Sequence, residues 1–102
     1  MNRTIYHHSF TPLKRSDRGG IIQLSQHDEL GPMFDGQVLA RDMARTMQAD
    51  VEHRVYNNEL HKWDYLGTFH PDGTATDSFG QTRRFIEDPA RPWAEIEKGG
   101  ES

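Results

Sequence analysis

Cysteine is absent from the 102 residues, which excludes a disulfide framework, a thiolate zinc site and a cysteine nucleophile. No apolar run approaches the length of a membrane span or of a signal-peptide core, so a soluble, cytoplasmic protein is expected. Apolar residues are also scarce, at 33%, with a mean hydropathy of −0.90. Phosphate-binding loops are missing: Gly19-Gly20 follows a basic run but opens no helix. Ser9, Ser16, Ser25, Ser78 and Ser102 lack the flanking glycines of a nucleophile elbow. There is no internal repeat, heptad or low-complexity tract.

What remains is one domain's worth of chain, expected over residues 1–98, with a disordered tail at 99–102. The thin apolar content is offset by two Trp, three Tyr and five Phe, which bury large areas per residue. A core this lean is consistent with apolar surface completed by a partner or by a second copy, so a homodimer is possible. Charge is uneven. Residues 1–27 hold four basic side chains against one acidic, a net of +3, and residues 28–102 hold eight against fifteen, a net of −7. An acidic body disfavours phosphate contacts and suits a partner with a basic surface.

Periodicity predicts an α+β fold in the order ββαβββ. A first strand is expected over Thr4–Phe10, ended by Pro12, and a second over Gly20–Ser25 carrying Ile21, Ile22 and Leu24. The polar stretch Leu13–Gly20 would join them as a long basic loop. A connector at Gln26–Asp35 leads to a helix from about Gly36 to Gln48 or Ala49, with Asp35 as N-cap. Its expected apolar face is Leu39, Ala40, Met43, Ala44 and Met47. A three-stranded meander follows. Its first strand alternates Val51, His53 and Val55 against Glu52, Arg54 and Tyr56, and its second places Trp63, Tyr65, Gly67 and Phe69 on one face. Turns are signalled at Asn57–His61 and at His70-Pro71-Asp72-Gly73. A weaker strand near Thr74–Phe79, a short edge at Arg83–Glu87 and one helical turn at Trp93–Lys98 complete the pattern. The helix stripe would pack on Val55, Trp63, Tyr65 and Phe69.

Six histidines raise the question of a metal, but adjacent His7 and His8 on a strand point to opposite faces. His53, His61 and His70 would converge only in a particular register, and His27-Asp28-Glu29 lacks a partner at a diagnostic spacing. Asp72 reads as a turn residue, and Asp64 and Asp77 as solvent-face positions. No catalytic, cofactor or metal residue is therefore assigned. Leu66-Gly67-Thr68-Phe69 resembles a strand string of the plant ethylene-response DNA-binding domain, and Asp88-Pro89-Ala90-Arg91 a second piece of it. The two stand in the opposite order, without that family's arginine-rich strands, so nothing is carried over from the resemblance.

The expected function is a small non-enzymatic protein-binding module. Its most concrete form is an inhibitor or adaptor from a phage or mobile element, acting on a nucleic-acid-handling host defence complex. Lys14, Arg15 and Arg18 on the loop, with Arg83 and Arg84 near an aromatic face, are the expected partner-binding residues. The alternatives are a small nucleic-acid-binding domain using the same cations, and a small histidine-dependent enzyme.

Overall fold

The computed structural model describes residues 4–85. The expected helical turn at Trp93–Lys98 and the tail at 99–102 lie outside the described residues. Among the described residues, seven strands and one helix follow in the order β1 (Tyr6–Arg15), β2 (Ile21–Gln23), β3 (His27–Gly31), α1 (Met33–Met47), β4 (Asp50–Asn57), β5 (Lys62–Phe69), β6 (Thr74–Asp77) and β7 (Thr82–Arg84). The strands form one antiparallel sheet in the order β2-β1-β4-β5-β6-β7, with β3 paired to β1 on the same side as β2. This is the α+β architecture anticipated from periodicity, with an additional strand in place of the connector.

Strand β1 does not stop at Pro12. It continues to Arg15, so the loop shrinks to five residues, closed by Ser16 N–H to Gly20 O at 2.8 Å and Gly19 N–H to Ser16 O at 3.0 Å. Proline inside a central strand normally removes a ladder hydrogen bond. Here Pro12 accepts from Leu24 N–H at 2.8 Å and has no N–H to return to Leu24 O, so one ladder bond is lost where the β2 pairing ends. Phe10 pairs with His27 and Leu13 with Gln23, so residues 25 and 26 stand opposite Thr11 alone, a bulge of one extra residue next to the proline.

A second irregularity sets the faces of the meander. His53 pairs with Gly67 and Arg54 with Tyr65, leaving Leu66 as the extra residue. Val51, His53 and Phe69 point towards the helix, as alternation predicts. Trp63 and Tyr65, expected beside them, are carried to the opposite face. There Trp63 meets Tyr56 edge-on at 5.3 Å, and Arg54 lies over the Tyr65 ring at 5.2 Å.

The core sits between one sheet face and α1. Phe10, Val51, Phe69, Ala75 and Phe85 are buried from the sheet side, Ala40 and Ala44 from the helix. The buried helix positions are Gly36, Gln37, Ala40 and Ala44. Small residues at i, i+4 and i+8 let the backbone approach the sheet, and the bulk comes from the strands. Leu39 and Met43 flank that seam and are only partly buried, while Met47 is exposed. The expected stripe is thus rotated towards Gly36 and Gln37. Capping differs as well: the helix begins after Pro32, and Asp35 lies inside the first turn, where its charge complements the helix dipole. Gln48, at φ 51°, ends the helix in the left-handed region.

Both predicted meander turns are present. Asn57 Oδ1 accepts from Glu59 N–H and Leu60 N–H at 2.9 and 3.1 Å. Asp72 Oδ1 accepts from the Thr74 N–H and hydroxyl at 2.9 and 2.6 Å, and these bonds hold its carboxyl below the usual aspartate value. Strand β6 ends at Asp77 rather than Phe79. Asp77 Oδ1 accepts from Phe79 N–H and Gln81 N–H, closing a turn with Gly80 at φ 86°.

Candidate functional site

The cations expected to bind a partner divide between two edges of the sheet. Lys14 and Arg15 end β1, and Arg18 occupies the five-residue turn; all three are exposed. Arg83 and Arg84 lie on β7, four strands away from β1, roughly 19 Å at the usual strand spacing. The two groups do not form one patch. Nor do Arg83 and Arg84 approach Trp63 or Tyr65 as expected. Arg83 pairs beside Ala75 on the helix side and donates to Gln81 Oε1 at 2.8 Å. The extra residue Leu66 has put the aromatics on the other face from Arg83, and Arg84, which shares their face, pairs with Thr74 beyond the Phe69 end of β5, away from Trp63 and Tyr65.

The β1–β2 ribbon gathers a different set of side chains. Arg15 pairs across to Ile21 and Lys14 to Ile22, so each face of the ribbon presents one cation beside one isoleucine. Ile21 is 68% exposed and Leu30, further along the same edge, 69%. Among the described residues no strand pairs with the outer side of β2 or β3. At the base of the ribbon lies a shallow recess of about 260 Å³, bounded by Lys14, Arg15, Ile21, Asp50 and Pro71. On the same edge Asp28 contacts His7 at 3.3 Å and accepts from Gln26 at 2.7 Å, and Glu29 contacts His27 at 3.2 Å. Exposed pairs of this kind contribute little stability.

Two histidine arrangements were not legible from spacing. In the first, His8 and His53, each 1% exposed, meet on the helix side with Nδ1 of His8 and Nε2 of His53 2.8 Å apart. His8 Nε2 lies 2.9 Å from Gly31 O and 3.2 Å from Pro32 O. Carbonyls only accept, so that nitrogen carries a proton. In the neutral pair, His53 Nε2–H then donates to His8 Nδ1. Burial, reinforced by the neighbouring His8 ring, pushes the His53 pKa down to about 3. The rings stack with Phe10, whose centroid lies 5.1 Å from that of His53. A Cβ at Gly36 would stand 2.4 Å from the His8 imidazole, so only glycine allows the helix to lie on it. This pair joins helix start to sheet and is shut off from solvent.

The second arrangement lies on the open face. Asp50 Oδ1 is 2.8 Å from His70 Nδ1, and His70 Nε2 is 2.7 Å from Thr76 Oγ1, itself 2.7 Å from Thr82 Oγ1. With a neutral imidazole, the aspartate acceptor sets the order: Thr82 O–H donates to Thr76, Thr76 O–H to His70 Nε2, and His70 Nδ1–H to Asp50. The order is that of a hydroxyl–imidazole–carboxylate relay. Here the carboxylate is 44% exposed, and the chain of bonds ties β4, β6 and β7 to the end of β5. Among the described residues no group of three or more histidines and carboxylates converges on a possible metal position. No described helix is long and apolar enough to cross a membrane. Comparison of the chain with protein-family models, with curated proteins and with solved structures finds no match.

Proposed function

We propose that the chain is a non-enzymatic protein-binding module that engages its partner through the ribbon and open edge spanning residues 13–31. The observation that carries this reading is the exposure of Ile21, Ile22 and Leu30 on a strand edge left unpaired among the described residues, beside Lys14, Arg15 and Arg18. An exposed edge is a template for strand addition, and apolar side chains next to forked or flexible cations suit a partner surface with acidic groups. The recess at the ribbon base has room for a side chain from such a partner.

The acidic body supports a protein partner over nucleic acid, because residues 28–102 carry a net −7. An inhibitor or adaptor of a nucleic-acid-handling complex is the most specific form of the proposal, and it rests on that charge and on small size. A photoreactive amino acid at Ile22 tests the reading in cells. A cross-linked protein species that disappears when Lys14, Arg15 and Arg18 are replaced by Ser is the expected result. Steeply salt-dependent oligonucleotide binding, abolished by the same substitutions, would replace it with a nucleic-acid-binding function.

A further inference from the structure

We infer that the open β2–β3 edge pairs with the same edge of a second copy, continuing the sheet across a two-fold axis at Ser25–Gln26. The inference rests on the protein-binding reading above and names the partner. Main-chain direction gives the first argument. The Leu24 N–H to Pro12 O and Ser16 N–H to Gly20 O bonds show that even-numbered residues of β1 direct their main-chain groups towards β2 and β3. Alternation then leaves Ile21 and Gln23, and beyond the bulge Asp28 and Leu30, with N–H and C=O directed away from β1. The extra residue at the bulge carries the two short segments into a single antiparallel register with their symmetry mates. Ile21 falls opposite Leu30 of the second copy, and Gln23 opposite Asp28. Each of these pairs can exchange both main-chain hydrogen bonds.

Side-chain matching is the second argument. Ile21 and Leu30 point to the same, helix-free face, since they pair with Arg15 and His7 of β1. A two-fold axis perpendicular to the sheet keeps that face common to both copies. The two most exposed apolar side chains of the edge therefore cover one another. Ile22 meets Glu29 on the helix side and Gln23 meets Asp28 on the other, so no like charges are opposed. Lys14, one strand in from the edge, lies in line with the Glu29 carboxylate of the other copy across Ile22, and Arg15 lies in line with Leu30, two residues along from Asp28 on the same face. The basic ribbon of each chain thus lies along the acidic β3 of its mate.

Sedimentation equilibrium of the full chain at neutral pH over a concentration series tests this. A mass of twice 11.8 kDa is expected at the upper concentrations. Replacing both apolar edge residues, I21K/L30K, touches only exposed side chains and sets lysines opposite one another. It should leave the circular dichroism spectrum unchanged and weaken self-association on the order of 100-fold. K14E and E29K should each weaken the dimer, and an equimolar mixture of the two should regain part of it. A dimer unmoved by I21K/L30K would overturn the inference, as would a chain monomeric at every concentration. If that monomer still cross-links to another protein through position 22, only self-pairing falls. If it cross-links to none, the protein-binding reading falls with it.

Discussion

Acidification should strike this fold at His53. The ring is buried, donates to His8 in the neutral pair, and has its pKa pushed down to about 3 from 6.5. In the unfolded chain the same imidazole regains its ordinary value. Between those two values the unfolded state binds a proton that the folded state does not, so stability rises with pH and is lost as pH falls. The loss begins near pH 6.5, steepens to about 1.4 kcal/mol per pH unit, and levels off near pH 3. From pH 7.5 to 4.5 it amounts to roughly 2–3 kcal/mol, a large part of the roughly 5–15 kcal/mol typical of a domain. Urea unfolding followed by circular dichroism would show the midpoint falling by roughly 2–3 M over that range, given a slope near 1 kcal/mol/M. His53→Gln is the informative control, because a glutamine amide can still donate towards His8 but does not titrate. Its midpoint should depend less on pH by most of that amount. An equal pH dependence in the two proteins, or an NMR titration placing His53 near 6.5 in the folded state, would refute the reasoning.

Gly36→Ala should destabilise by roughly 1–3 kcal/mol in thermal unfolding despite the better helix propensity of alanine, because the added methyl meets the His8 ring. Phe10→Ala should cost about 3–5 kcal/mol, whereas Leu39→Ala, at the flank of the helix seam, should cost only about 1 kcal/mol. A larger loss at Leu39 than at Phe10 in paired denaturation curves would show that the seam is misplaced. Gln48→Gly should raise the melting temperature by a few degrees, on the order of 0.5–1 kcal/mol, by relieving a non-glycine residue in the left-handed region.

Elements were easiest to read where the local pattern and the burial agree. The β4 alternation of Val51, His53 and Val55 fixes its buried face, and the Asx-type turns at Asn57 and Asp72 fall where their sequences place them. Reading failed wherever one residue changed the phase. Nothing in Tyr65-Leu66-Gly67 signals that Leu66 is extra; the nearest hint is Gly67, where a Cβ would lie 2.6 Å from Thr76 O. Pro12 reads as a strand stop because its missing N–H is visible in sequence, whereas the bulge beside it is not. The ribbon cations were legible as a basic run. The two imidazole arrangements were not, since His8 meets His53 across 45 positions and His70 meets Asp50 across 20.

The bulge at residues 25–26 gives this edge slack for one change of length and none for the opposite one. Deleting Ser25 or Gln26 removes the extra residue: Ile21, Ile22 and Gln23 keep their places beside Arg15, Lys14 and Leu13, and His27 to Gly31 keep theirs beside Phe10 to Tyr6. Neither segment exchanges its faces, so a shortened chain should fold with a continuous edge strand. One inserted residue would instead set three residues opposite Thr11 alone, so lengthening the segment should be tolerated less well than shortening it.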